Sequence, residues 1–147
     1  LLEKDALEIC YQKCIAEKLD FVFFDAESFY AENTCPRNYQ YQRNLQISDN
    51  VWQGTELLKI QDQTGNFRTS ACLSFSSSSF LKKNNIRFYP HIIHEDELYT
   101  ALLYLNATRV KYIQRTFFNL GETMIRYTYF TSRIGFIVSK RISVKTL

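Results

Sequence analysis

Asp20-Phe21-Val22-Phe23-Phe24-Asp25 carries four consecutive apolar side chains between two acids. A strand with one solvated face alternates apolar and polar residues. An unbroken apolar run of this length instead fits a strand covered on both faces, as in a sheet packed between helices. Directly upstream, residues 2–19 place Leu7, Cys10 and Cys14 and, one turn away, Ala6, Ile9 and Ile15 on a helical stripe. Glu3 and Asp5 lie early and Lys18 late, as the helix dipole favours. A helix followed after one turn residue by a doubly buried strand predicts α/β layering.

Downstream, residues 31–50 turn to Asn, Gln, Arg and Tyr. Within them Tyr39, Tyr41, Arg43, Leu45 and Ile47 alternate with polar partners, which predicts an exposed or edge strand inside a long connection. Thr55 is placed to cap a short helix through Ile60, closed by Gly65. The run Ser76–Ser79 reads as a loop or as the entry to a helix at Phe80-Leu81-Lys82-Lys83. Ile86, Phe88 and Pro90 form an extended lead into a helix from Glu95 to Asn106, with Leu98, Leu102 and Leu105 on its expected inner stripe. Val110-Lys111-Tyr112-Ile113 and Phe117-Phe118 predict a further strand and its exit, and residues 119–147 are compatible with strand or helix.

The length, 147 residues, suits one domain spanning 1–147. With 46% hydrophobic and 22% charged residues the chain is of ordinary globular composition, which excludes a disordered or fibrous reading. Four Gly and two Pro leave few tight turns, so a sandwich of many hairpins is excluded too. Residues 1–74 hold seven Lys/Arg against eleven Asp/Glu, and residues 75–147 hold eleven against four. The basic half could meet a polyanion, or simply be a solvated face. Cys10, Cys14, Cys35 and Cys72 form no Cys-x-x-Cys pair, and we expect free, buried thiols in a reducing compartment. No apolar run is long enough to span a membrane and no export signal precedes the first helix, so a cytoplasmic location is expected.

His94-Glu95-Asp96-Glu97 is the densest titratable cluster, set where an extended segment meets a helix N-terminus. A carboxylate there can act as a general base, held by the helix while the preceding loop opens toward substrate. The same acids would also arise merely to satisfy the helix dipole, worth ~0.3–1 kcal/mol each. His91 and His94 are three apart with no Glu between them, which rejects a zinc-protease helix. Glu95 and Glu97 point about 200° apart on a helix, so they do not share an ion, and no metal ligand is assigned.

Three segments in order carry a family resemblance: Phe80-Leu81-Lys82-Lys83-Asn84-Asn85-Ile86-Arg87-Phe88, then His94-Glu95-Asp96-Glu97-Leu98-Tyr99-Thr100, then Arg109-Val110-Lys111-Tyr112-Ile113-Gln114-Arg115-Thr116-Phe117-Phe118. Together they resemble the C-terminal half of bacterial family 2 glycosyltransferases with the GT-A fold. Residues 2–8 and 20–25 are similar to the segment that follows that family's metal-binding Asp-x-Asp motif. The resemblance spans residues 1 to about 118. It implies a mixed sheet flanked by helices, with an incomplete nucleotide-binding half.

The resemblance further implies that Asp96 deprotonates an acceptor hydroxyl, so that its oxygen attacks the anomeric carbon of a nucleotide-sugar donor with inversion. Glu95 would orient the base or hold an acceptor hydroxyl, and His94 and Glu97 would contact substrate. The donor half and its divalent metal, Mg or Mn, would be held upstream of Leu1, because the chain contains no Asp-x-Asp and no glycine-rich turn. The fragment alone is therefore expected to be inactive. The acceptor would be a glycan or a lipid-linked molecule, and no nucleic acid would be involved. Two further expectations come from the residues themselves. One is a noncatalytic nucleic-acid-binding or interaction domain, based on the aromatic and basic residues interleaved from Arg109 to Arg133. The other is peripheral attachment at the inner face of a membrane through Ile134, Phe136, Ile137 and Val138 among Arg133, Lys140 and Arg141.

Overall fold

The computed structural model describes residues 2–30 and 41–122. Helix α1 (Ala6–Glu17) leads into strand β1 (Phe21–Tyr30). Then come helix α2 (Gly54–Gln63), a 3-10 turn (Ala71–Leu73), strand β2 (Ser74–Ser76) and helix α3 (Ser78–Lys83). Helix α4 (Glu95–Asn106) and strand β3 (Val110–Glu122) complete the order. The sheet runs β2-β1-β3, with β1 antiparallel to β2 and parallel to β3. It is the mixed sheet flanked by helices that the resemblance implied.

The apolar run of β1 divides between two cores by strand alternation. Phe21 and Phe23 face α2 and α4 and pack with Leu57, Leu103, Tyr104 and Val110. Val22 and Phe24 face α1 and pack with Ala6, Cys10, Cys14 and Phe117. All four are buried, so the strand is covered on both faces as expected.

Helix α1 touches the sheet more narrowly than its sequence suggests. Only Ala6, Cys10 and Cys14, spaced by four, are buried, while Leu7 and Ile15 are exposed. One row of small side chains brings the helix close to the sheet, and the larger residues, about 100° round the axis per position, are turned outward. The chain leaves α1 through Lys18, whose left-handed backbone (φ 51°) lets its N–H reach back to the last turn.

Residues 41–47 form no strand, which corrects the described part of the edge strand expected over 39–47; Tyr39 lies outside the described residues. Their alternation is real but inward. Arg43 and Leu45 are buried, and the chain joins the sheet only later, where Trp52 and Val110 exchange backbone hydrogen bonds of 2.9 Å each way. Helix α2 starts one residue before Thr55. Its cap is Gln53, and buried Gly54 sits against the Tyr104 carbonyl, where a Cβ would collide. Gly65, at φ 66°, closes the turn that follows.

Helix α4 has the expected bounds but another inner face. Thr100, Ala101, Leu103 and Tyr104 are buried, whereas Leu98, Leu102 and Leu105 are half-buried. The helix packs on the sheet and on α2 at once, so its deepest row lies between those two contacts rather than along the leucines. The serine run divides, with Ser76 ending β2 and Ser77 preceding α3. Val110–Ile113 and Phe117–Phe118 belong to one strand, whose register against β1 shifts on both sides of Asp25. Cys10 and Cys14 are buried free thiols, but Cys72 is exposed, contrary to expectation; Cys35 and residues 123–147 lie outside the described residues.

Candidate functional site

The segment between α3 and α4 contains three non-glycine residues with left-handed backbones, the first being Asn85 at φ 51° just after α3. His91 and His94 both have left-handed backbones, at φ 64° and 63°. A β-branched residue would be strained there, whereas histidine tolerates this region better. His94 is the residue from which α4 starts, and its carbonyl accepts a 3.1 Å hydrogen bond from the Glu97 N–H. The reversal aims the first turn of α4, and with it Glu95, Asp96 and Glu97, away from the incoming chain.

The three acids differ in setting. Glu95 is exposed, while Asp96 and Glu97 are half-buried. Burial raises the Asp96 carboxyl above its ordinary value, and the neighbouring Glu95 charge adds to this. The backbone N–H groups of Asp96 and Glu97, together with His94, oppose the rise. Glu97 is raised as well, first by burial and then by Asp96, against the pull of His94. Neither Asp96 nor Glu97 makes an ion pair with a described Lys or Arg. A carboxylate that is partly desolvated and not neutralised by a cation is suited to take a proton.

Behind the acids the helix is anchored by aromatic packing. Phe88 stacks on Tyr99 with ring centroids 4.3 Å apart and planes 11° from parallel, and the Tyr99 hydroxyl bonds to Ser76. Tyr99 lies three residues after Asp96, on the same side of α4, so the stack fixes the extended segment beside the acid. An apolar cleft of about 160 Å³ lies on the α1 side of the sheet instead, lined in part by Leu7, Cys10, Phe24, Cys72 and Phe118.

No family model matches the chain, and no curated protein matches it. Solved structures do. S. aureus TarS 1-349 in complex with UDP-GlcNAc superposes with a TM-score of 0.62 over 98% of this chain and 39% of that one, at 15% identity. The chain shares the fold of this part of TarS. A longer S. aureus TarS structure gives a TM-score of 0.58 at 16% identity, covering 98% of this chain and 22% of that one. The complex of TarS 1-349 with UDP gives 0.52 at 15% identity, covering 83% and 33%. The chain thus spans about two fifths of the TarS chain it matches with the UDP-GlcNAc complex. At these identities the likeness is one of fold.

One buried polar centre was not legible in the sequence. The Asp25 carboxylate accepts hydrogen bonds from Arg43 Nη1 at 2.7 Å and from the Tyr112 hydroxyl at 2.6 Å. Arg43 also donates to the Phe24 carbonyl at 2.7 Å and to Gln61 Oε1 at 3.2 Å, and its guanidinium lies over the Phe23 ring. Burial, followed by the bond to Asp25, pushes the Tyr112 phenol far up, and burial pushes fully buried Tyr104 up to about 12. The only sequence signal was an arginine in an alternating segment beside an acid that ends an apolar run.

The basic residues at the start of β3 are likewise engaged internally. Arg109 donates to the Glu17 and Lys18 carbonyls, Lys111 pairs with Glu17 and Asp49, and Arg115 pairs with Glu3 and Asp5. The cations behind the nucleic-acid expectation are, to this extent, holding the N-terminal helix and the 41–50 connection to the sheet.

Proposed function

We propose that this chain is the acceptor-side, base-carrying part of a nucleotide-sugar glycosyltransferase of the inverting, family 2 type. The observation that carries the reading is the Asp96 carboxylate, half-buried in the first turn of α4 and without an ion pair to a described Lys or Arg. Support for the donor class comes from the fold likeness to TarS, crystallised with UDP-GlcNAc and with UDP.

In this reading Asp96 accepts the proton of an acceptor hydroxyl while that oxygen bonds to the anomeric carbon. The bond from that carbon to the diphosphate oxygen breaks on the opposite face, which inverts the centre. A sugar hydroxyl is a poor nucleophile at neutral pH, and a positioned base speeds such a step by roughly 10²–10⁴-fold. Glu95 orients the base or an acceptor hydroxyl, and His94 and Glu97 contact substrate. The acceptor is a glycan or a lipid-linked alcohol.

Residues 1–147 form one domain in this reading, which lacks its donor half and is inactive alone. The divalent ion implied by the family resemblance does not fit the residues described: no group of three or more His, Cys, Asp or Glu among them could hold a metal ion. No helix among the described residues is long and apolar enough to cross a membrane. Residues 134–141, proposed as a membrane contact from their sequence, lie outside the described residues.

Sugar transfer by the longer protein that contains this chain tests the reading. Asp96→Asn is expected to abolish transfer while leaving nucleotide-sugar affinity unchanged, and near-normal kcat in that variant would refute the base.

A further inference from the structure

The segment that delivers Asp96 also exposes large apolar side chains. Phe88 is 49% exposed, Ile92 42% and Ile93 82%. Solvent exposure of an aliphatic pair at the tip of a turn is unusual in a loop that is otherwise well held. Here the left-handed residues His91 and His94 bracket Ile92-Ile93 and turn them outward, while the Phe88–Tyr99 stack anchors the base of the loop.

The charge differs on the two sides of this tip: the chain before it is basic, and Glu95, Asp96 and Glu97 follow it. No Asp or Glu occurs from residue 63 to residue 94, whereas Lys82, Lys83 and Arg87 are all exposed and stand at the root of the loop. The Ile86 N–H bonds to the Leu81 carbonyl at 2.9 Å, which folds the end of α3 back against the start of the loop. Arg87 lies over the Tyr89 ring, 5.6 Å from its centroid, so its stem follows the aromatic surface while its charge stays outside. Glu95 is exposed and Asp96 and Glu97 are half-buried, all three beyond the second reversal on the first turn of α4.

We propose that the Phe88–Ile93 loop, with Lys82, Lys83 and Arg87, is a docking surface for an anionic phospholipid membrane. An aliphatic tip with three exposed cations at its root matches the acyl boundary and the charged headgroups of such a surface. A nucleic acid would use the cations but gains nothing from two isoleucines, and the inner face of the Phe88 ring is already taken by Tyr99. The surface is distinct from residues 134–141. It would place the first turn of α4 beside the headgroups, where a lipid-linked alcohol would present its polar end. The docking itself does not depend on the transferase reading, because it is measured without turnover.

The test is co-sedimentation of the chain with phosphatidylcholine vesicles, with and without phosphatidylglycerol. Binding is expected to need the anionic lipid and to weaken by about fivefold for each cation removed in Lys82→Gln, Lys83→Gln and Arg87→Gln. Ile92→Ser with Ile93→Ser is expected to lower it by about tenfold or more, since the tip no longer enters the acyl boundary. In Ile93→Trp the added indole is expected to shift its emission to the blue and to be quenched by brominated acyl chains. Equal binding to neutral vesicles overturns the proposal, as does a serine pair that binds like the parent or an indole that stays in water. Retention of single-stranded RNA through the same three cations, with vesicles ignored, would overturn it in favour of a nucleic-acid face.

Discussion

Arg43 Nη1 lies 2.7 Å from Asp25 Oδ1, and both side chains are almost wholly removed from solvent. The pair joins the connection after β1 to the strand itself, at the point where the register between β1 and β3 shifts. An ion pair in such a place stabilises only if the remaining hydrogen-bonding groups are satisfied. Tyr112, Gln61 and the Phe24 carbonyl do this.

Arg43→Met leaves the Asp25 carboxylate buried without its cation. We expect a loss of about 3–5 kcal/mol, read by urea denaturation. Asp25→Asn with Arg43→Met should recover part of it, and a single variant as stable as the parent would show the pair to be inert.

Gly54→Ala places a methyl group against the Tyr104 carbonyl, where backbone rather than a flexible side chain must yield. The expected cost is about 1–3 kcal/mol. Thr55→Ala should cost much less, because Gln53 and not Thr55 is the capping residue. Thermal unfolding of the two variants separates these outcomes.

Asp96 has an opposite sign for stability and for chemistry. Its folded carboxyl is raised above its unfolded value, chiefly by burial, so its contribution to folding is fully favourable only below the unfolded pKa and is lost as pH rises through the folded one. Asp96→Asn is therefore expected to leave the melting temperature at pH 7 unchanged or higher. If the chain works as part of the proposed transferase, the same variant should lower its kcat by roughly 10²–10⁴-fold. The acid limb of the parent's kcat profile should fall at a higher pH than an ordinary aspartate would give. A clearly lower melting temperature for the variant would mean that the carboxylate is a structural partner.

The thiols should separate by burial. Cys10 and Cys14 are pushed up to about 11, both by burial, with Cys14 adding to the rise at Cys10. Cys72 is exposed. With Cys35→Ser as background, a thiol reagent at mildly alkaline pH is expected to label one cysteine rapidly and the other two only on unfolding. Fast labelling of Cys10 would show that α1 is not seated on the sheet.

What the chain announced by itself was whatever depends on neighbours in sequence. Four apolar residues in a row required a strand covered twice, and the acids from Glu95 opened a helix whose observed bounds, Glu95–Asn106, match the pattern. Those signals are local, because strand alternation and helix periodicity act within a few residues. Tertiary structure alone decided which rows of α1 and α4 turn inward, since a helix that packs on two elements buries the row between them whatever its leucine spacing. It alone brought Arg43 to Asp25, eighteen residues away, and turned an apparent edge strand into a buried clasp. It also set Ile92 and Ile93 outside, because two left-handed histidines, which no local pattern marks, reverse the chain on either side of them.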